Sequence, residues 1–124
     1  MPNYFKQRLR SFKFAFRGIC TLIKETPNAQ IHLVLAATAL ILGFMLKIST
    51  AEWMAIIIVS GAVLAFEAVN SSIEMLADFV SPTRSHRIKK VKDLAAAAVL
   101  LISMAALIVG IIIFAPKITA YLAH

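Results

Sequence analysis

Three long apolar segments restrict what this chain can fold into. The segments 31–46 and 94–115 contain no Asp, Glu, Lys or Arg, and 53–66 is apolar apart from Ser60. A helix needs about 20 consecutive apolar residues to cross the hydrocarbon core of a bilayer, which is about 30 Å thick. Together with their helix-compatible flanks, the segments predict three transmembrane helices, over 28–48, 52–80 and 93–115.

The composition agrees with a membrane protein and excludes several other classes. Hydrophobic residues make up 60% of the 124 residues and the mean hydropathy is +0.85. Soluble domains are only about 45–50% apolar. The single cysteine, Cys20, excludes an internal disulfide, and no Cys/His cluster points to zinc. We therefore predict an all-α integral membrane protein with a single membrane domain, 1–124.

The basic residues predict the orientation of the spans. Eleven of the 13 Lys and Arg residues lie before residue 25 or between residues 81 and 93. The positive-inside rule then places the N-terminus and the 81–93 loop in the cytoplasm. Three spans put the C-terminus outside. Because these charges flank apolar spans, we interpret them as topology signals and contacts to anionic lipids, not as a nucleic-acid footprint.

The first 26 residues predict an amphipathic surface helix over 3–26. No apolar stretch of the kind found in a signal peptide follows the basic start. Six apolar residues instead recur every three or four positions between basic ones: Phe5, Leu9, Phe12, Phe16, Ile19 and Ile23. Such a helix lies in the membrane interface with its apolar side in the acyl boundary. We expect Pro27 to end it and Asn28 to cap the next helix.

A polar stripe on the second predicted span is the main candidate functional site. Its four members are spaced by three, four and four residues, and therefore share a wedge about 80° wide on a helix. They are Glu67, Asn70, Glu74 and Asp78, with Ser71 near the edge. A carboxylate near the bilayer centre costs at least ~2.5–3.5 kcal/mol, so stability alone does not explain the stripe. The other two spans are not expected to offer a buried basic partner. His32, at the start of a span, is interpreted as an interfacial polar residue.

The chemistry of these residue types favours phosphoryl transfer to a lipid. Two carboxylates one or two turns apart can hold a hard cation such as Mg²⁺ through oxygen. A carboxylate deeper in the apolar layer suits a general base for a buried alcohol. The basic cluster from Arg84 to Lys92 is predicted across the same interface, where it could take a polyphosphate. Catalysis of this kind needs positioning and charge neutralisation more than covalent chemistry.

Two other classes remain open at this point. A small transporter or proton-coupled channel would use Glu67 as its carrier acid and would move ions without ATP. A holin-like or assembly protein would have no catalytic or binding site at these residues. Changing Glu67 or Glu74 to Gln would then have almost no effect on its function.

The stripe also carries a family resemblance. The run from Glu67 to Asp78 fits E-x-x-N-[ST]-x-I-E-x-x-x-D, and Lys92-Asp93 begins a match to K-D-x-x-x-x-A-V. These motifs resemble the bacterial diacylglycerol kinase and undecaprenol kinase family. Similarity extends over nearly the whole chain and is greater to the undecaprenol kinase branch of Gram-positive bacteria. Its further matches are 11–18, Glu25, Ile31-His32, 52–54 and 112–117.

The resemblance implies a homotrimeric lipid kinase of the bacterial cytoplasmic membrane. Each subunit would have three spans and a surface helix, and would transfer the γ-phosphate of ATP, bound as MgATP, to a lipid hydroxyl. Both undecaprenol and diacylglycerol fit as the lipid alcohol. Neighbouring subunits would share each site, and we expect that a lone subunit could hardly shield the acidic stripe from lipid.

The same resemblance implies roles for individual residues. Glu67 would be the general base and, with Arg10, would contact the lipid substrate. Glu25 and Glu74 would hold Mg²⁺. The nucleotide would be contacted by Arg10, Glu25, Asn70, Glu74, Asp78, Lys92 and Asp93. One departure concerns 83–86, which lacks the Glu and the aromatic residue that related proteins place near the adenine.

Overall fold

Four α-helices joined by short connections make up the fold. The computed structural model describes residues 2–83 and 85–123. The helices are α1 (Pro2–Glu25), α2 (Pro27–Met45), α3 (Thr50–Val80) and α4 (His86–Leu122). The last three are each long and apolar enough to cross a membrane. The predicted all-α architecture, an N-terminal helix followed by three candidate spans, is confirmed.

The connection between α1 and α2 is a single residue, Thr26. It is the N-cap of α2 and has an extended backbone, with φ −115° and ψ 104°. A residue before proline favours this conformation, and proline fits the first helical position because its missing N–H needs no partner there. The prediction that Asn28 caps α2 is therefore wrong, since α2 already begins at Pro27.

The turn between α2 and α3 is tight and well capped. α2 ends at Met45, three residues before the predicted end, and Lys47 adopts a left-handed conformation with φ 52°. Ser49 then caps α3. Its hydroxyl accepts a hydrogen bond from the Glu52 N–H at 3.2 Å, and the Ser49 N–H donates to Glu52 Oε1 at 2.9 Å. This reciprocal capping box fixes the start of α3.

α4 begins seven residues earlier than predicted. The Ser85 hydroxyl accepts from the Ile88 N–H at 3.2 Å and caps the helix ahead of His86. Lys92 and Asp93 therefore stand on the second turn of α4. Asp93 is therefore not at a helix N-terminus, because α4 begins at His86. α4 also continues through Pro116 to Leu122, beyond the predicted end at 115.

Two ion pairs join α3 and α4, the two helices that pack together most extensively. Lys92 Nζ lies 2.5 Å from Asp78 Oδ1 at one end of the pair. Lys117 Nζ lies 3.1 Å from Glu52 Oε1 at the other end. The helices are antiparallel, so a step along α3 corresponds to an equal step in the opposite direction along α4. Between the two ion pairs lie 26 residue steps along α3 and 25 along α4, so both pairs give the same register to within one residue.

α2 and α3 are antiparallel neighbours as well. At the end nearer α1, Thr26 Oγ1 lies 3.4 Å from Ser71 Oγ. At the far end, Gly43 approaches the Trp53 ring so closely that an added Cβ would lie 2.7 Å from it. A small buried core surrounds this far end: Ile48, Ile56, Ile113 and Phe114. The candidate site lies toward the opposite end of the bundle.

The outer faces of the spans are apolar. Phe44 is 75% exposed and Ile58 is 71% exposed, and many other large apolar side chains are also uncovered. In water such surfaces would drive association, whereas lipid covers them at no cost. α3 and α4 are ~46 Å and ~56 Å long at 1.5 Å per residue, so both extend beyond a ~30 Å hydrocarbon core. Their polar ends therefore reach the membrane surface.

Candidate functional site

A cleft of about 800 Å³ lies where α1, the start of α2 and the second half of α3 meet. This volume is within the range of ordinary small-molecule sites. One wall is the second half of α1 and the other is α3 from Glu67 to Met75, while 25–28 closes one side. Four predicted site residues line the cleft together: Glu25, Glu67, Asn70 and Glu74.

The buried end of the cleft is formed by Glu67 and Asn70. Glu67 is 1% exposed, and it is the only charged residue that is buried in the described part of the chain. Neither of its carboxylate oxygens, nor Oδ1 of Asn70, has a hydrogen-bond partner among the described residues. A buried polar group without a partner is costly, and such groups in proteins usually serve a ligand or a reaction. These atoms can therefore accept a hydrogen bond from a bound molecule.

One basic side chain faces Glu67 from α2. Nε2 of His32 lies 3.5 Å from Glu67 Oε1, and the His32 side chain is 22% exposed. His32 is only partly buried, and its contact with Glu67 was not predicted from the sequence, where His32 is interpreted as an interfacial polar residue. Once α2 and α3 are antiparallel through a tight turn, His32 and Glu67 come to nearly the same level.

The carboxylates of Glu25 and Glu74 face the same cleft from different helices. Glu25 ends α1 beside Thr26, and Glu74 stands almost one turn along α3 from Ser71. The bond between the Thr26 and Ser71 hydroxyls therefore holds the backbone that carries the two carboxylates together. Both residues are exposed and line the cleft.

Glu25 and Glu74 supply carboxylate oxygens, which are the type of ligand that Mg²⁺ takes. Mg²⁺ in phosphoryl-transfer sites takes one or two carboxylates, and substrate phosphates and water complete its coordination. A protein-only metal cage would need more ligands, and the described residues contain no group of three or more His, Cys, Asp or Glu that could form one. The donor set of the cleft therefore suits Mg²⁺ bound to phosphates.

The remaining predicted residues lie outside the cleft lining. Asp78 and Lys92 form an ion pair one turn beyond Glu74, with side chains 65% and 36% exposed. Arg10 and Asp93 are exposed on α1 and α4, and neither lines the cleft. Arg84, the first member of the predicted basic cluster, lies outside the described residues. The cleft thus contains three predicted acidic residues, Glu25, Glu67 and Glu74. The predicted basic residues Arg10 and Lys92 lie outside its lining.

A single chain already shields the deepest carboxylate of the stripe. Glu67 is covered by α2 and by its own helix and needs no second subunit to keep it from lipid. The expectation that a lone subunit could hardly shield the stripe is wrong for Glu67. Glu74 and Asp78 are exposed in the single chain.

Comparison with known proteins identifies the family. The model of the prokaryotic diacylglycerol kinase family matches residues 13–114, which include both motifs and the whole cleft. The chain belongs to this family. It is 34% identical over 116 residues to the undecaprenol kinase of Bacillus subtilis (strain 168), covering 94% of each chain. It is also 29% identical over 103 residues to a diacylglycerol kinase of Synechocystis sp., covering 82% of this chain and 59% of the relative.

Family membership confirms the resemblance noted in the sequence. It supports a membrane lipid kinase, a transferase of lipid metabolism that acts on a nucleotide and a lipid in a membrane. The three apolar helices and these relatives identify a multi-pass bacterial membrane protein.

Proposed function

We propose that this protein transfers the γ-phosphate of ATP to the hydroxyl of a membrane lipid alcohol, with Glu67 as general base. The observation that carries the proposal is the carboxylate of Glu67, which is 1% exposed, lines the cleft and has no hydrogen-bond partner among the described residues. A general base must lie within hydrogen-bond reach of the proton that it removes. An alcohol in the cleft meets this condition at Glu67.

The proposed step balances with these groups. The lipid oxygen attacks the γ-phosphorus, a new O–P bond forms, and the bond from that phosphorus to the β–γ bridging oxygen breaks. ADP leaves with the electron pair of the broken bond, and the hydroxyl proton passes to the Glu67 carboxylate. Because the transition state of phosphoryl transfer is loose, the protein contributes mainly position and charge.

In this proposal Glu25 and Glu74 hold Mg²⁺ with the nucleotide. When bound, the ion neutralises phosphate charge and orients the transferred group. Asn70 lies between Glu67 and Glu74 along α3, and its buried Oδ1 accepts a hydrogen bond from the substrates. Lys92 contacts the phosphates by exchanging its partner Asp78 for them.

Arg10 and Asp93 enter the proposal through the family resemblance, which assigns them nucleotide contacts and gives Arg10 a contact to the lipid as well. Both are exposed in the single chain, on α1 and α4. We propose a homotrimer, in which a neighbouring subunit covers these surfaces and completes the site.

We also propose that the cleft opens toward the cytoplasm, where ATP is found. Most basic residues lie on α1 and around the start of α4, at the Asp78 end of α3. If Trp53 marks the outer interface, a ~30 Å hydrocarbon core ends about 20 residues later. Glu67 then lies inside the apolar layer and Asp78 lies outside it, so the stripe connects the lipid to the nucleotide.

Undecaprenol is the lipid alcohol that we propose first. The undecaprenol kinase of Bacillus subtilis matches this chain along 94% of its own length, whereas the diacylglycerol kinase of Synechocystis matches along 59%. Diacylglycerol remains the second candidate, because it presents the same primary hydroxyl group on a different apolar tail.

A phosphate-transfer assay in mixed micelles tests the proposal. Purified protein receives MgATP with either undecaprenol or diacylglycerol, and Glu67→Gln serves as the control. We expect transfer to undecaprenol by the wild type and very little by the variant. Transfer to diacylglycerol alone would reassign the substrate. If folded wild-type protein transfers phosphate to neither lipid, the kinase proposal fails, and an ion-flux assay in liposomes would then test a transport function for Glu67.

A further inference from the structure

We propose that His32 is a positioning residue that holds the Glu67 carboxylate in the orientation needed to accept the lipid proton. This inference rests on the proposed function of Glu67. The observation is the approach of His32 Nε2 to Glu67 Oε1 at 3.5 Å, from α2 to α3. Among the described residues no other basic group lies within 4.0 Å of Glu67.

The two carboxylate oxygens of Glu67 have different surroundings, and we infer a different role for each. Nε2 of His32 faces Oε1, so its N–H can hold that oxygen. Oε2 is also buried and has no partner among the described residues, which leaves it available to the substrate hydroxyl. At 3.5 Å the contact is longer than an ordinary hydrogen bond, and hydrogen bonds at catalytic groups often shorten only when substrate binds.

The backbone that carries His32 is well placed to fix its position. Ala29, almost one turn earlier on α2, is fully buried, and Thr26 bonds to Ser71 of α3. His32 and Glu67 thus lie on helices whose relative register is already set nearby. A side chain that is held by packing on a rigid helix keeps its position more precisely than one that is not held by packing.

His32 also separates the site from an apolar cavity. A space of about 260 Å³ between α2, α3 and α4 is lined by His32 together with apolar residues such as Ile56, Val63 and Phe114. The imidazole therefore has a carboxylate on one side and hydrocarbon on the other. In such a poorly polarisable environment the attraction between His32 and Glu67 is stronger than it would be in water.

A residue that positions the base affects turnover more than substrate binding. A small misplacement of a catalytic group can lower a rate by about 100-fold, while binding contacts elsewhere stay intact. For His32→Leu, which has similar bulk and no N–H, we expect kcat to fall about 10- to 100-fold. The KM for MgATP should change by no more than about twofold, since His32 is absent from the cleft where the nucleotide carboxylates lie. For His32→Gln, whose amide can donate to Oε1, we expect recovery of much of the lost kcat.

The experiment compares these variants in the micelle assay with wild type, Glu67→Gln and Ser60→Ala. Ser60 lines the same apolar cavity as His32 and is a matched control for cavity packing. His32→Asn, which keeps a polar group that is too short to reach Glu67, supplies the same test if His32→Leu does not fold. Circular dichroism and size-exclusion chromatography establish that each compared variant is folded.

The outcomes separate this inference from the proposed function. A large kcat loss in His32→Leu or His32→Asn, with rescue in His32→Gln and normal Ser60→Ala, supports it. If Glu67→Gln is inactive while the His32 variants match wild type, the positioning role is overturned and the kinase proposal stands. Equal losses in His32→Leu, His32→Gln and Ser60→Ala would also overturn it, because cavity packing would then explain the effect. Full activity of Glu67→Gln would instead refute the role of Glu67 itself.

Discussion

The Thr26 hydroxyl lies 3.4 Å from the Ser71 hydroxyl, and this contact joins the α1–α2 connection to α3 beside the candidate magnesium ligands. The two residues stand next to Glu25 and almost one turn from Glu74. The hydroxyl contact therefore helps to set the distance between the two backbone segments that carry Glu25 and Glu74.

For Thr26→Val we expect weaker binding of MgATP with little change in kcat at saturation. A hydrogen bond of this kind contributes about 0.5–1.5 kcal/mol, which corresponds to a KM increase of about 2- to 10-fold. The matched control is Thr119→Val, because the Thr119 hydroxyl bonds only within its own helix, to the Ala115 carbonyl at 2.8 Å. Titration of MgATP at fixed lipid measures both variants. An unchanged KM in Thr26→Val would contradict the link.

Glu67→Gln should lower turnover and leave nucleotide binding nearly unchanged. The amide is close in size to the carboxylate but does not accept the hydroxyl proton. General-base catalysis contributes about 100- to 10,000-fold, so kcat should fall within that range. Equilibrium binding of a non-hydrolysable MgATP analogue provides the second measurement. A large loss of analogue binding would show that Glu67 serves the nucleotide and not the proton transfer.

Glu25→Gln and Glu74→Gln should weaken binding of the Mg²⁺–nucleotide complex. Each removes one carboxylate from the cleft that both residues line, and a neutral amide is a poorer ligand for Mg²⁺. The analogue affinity should fall in both variants, and higher Mg²⁺ should partly restore transfer. EDTA should abolish transfer by the wild type until Mg²⁺ is added back. Equal analogue affinity in Glu25→Gln, Glu74→Gln and wild type would reject them as metal ligands.

Lys92→Gln should raise the KM for ATP, whereas Lys117→Gln should leave it unchanged. Both lysines pair with an acid across α3 and α4, with Asp78 and Glu52 respectively, but only Lys92 lies at the end that carries the cleft. Exposed ion pairs contribute only ~0–1 kcal/mol to stability, so thermal unfolding should change little in Lys92→Gln. Similar KM changes in both would assign Lys92 a purely structural role.

Gly43→Ala should destabilise the bundle, and Gly61→Ala should not. A Cβ at Gly43 would lie 2.7 Å from the Trp53 ring, which is itself packed against Phe44 with ring centroids 4.9 Å apart. Overpacking of this kind costs about 1–3 kcal/mol. A Cβ at Gly61 meets no atom within 4 Å and improves helix propensity. Thermal unfolding in detergent should show a lower midpoint for Gly43→Ala alone.

Hydrophobic spacing predicted the helices well, because membrane spans and a 3.6-residue stripe leave strong patterns in a sequence. The same spacing predicted that Glu67, Asn70 and Glu74 share one face, and all three line the cleft. Boundaries were predicted less well. Ser85 caps α4 ahead of a basic stretch that the charge pattern had assigned to a loop, because charged residues tolerate a helix as readily as a loop.

The contact between His32 and Glu67 was missed for a different reason. A single sequence shows which residues share a helix face, but the pairing of faces on different helices depends on their relative rotation and register. The turn that ends with Ser49 settles the register of α2 against α3, and its conformation includes a left-handed Lys47 that no apolar pattern predicts. Pairings between helices therefore required the structure.

The ion pairs at both ends of α3 and α4 have a mechanical consequence for the proposed kinase. The ion pairs mark a contact along which α3 and α4 pack extensively, whereas α1 packs far less extensively against the rest of the chain. The cleft runs along the border between this pair of helices and α1. We therefore expect a lipid that diffuses in the membrane leaflet to reach the cleft past α1, so that its hydrocarbon tail does not pass through water.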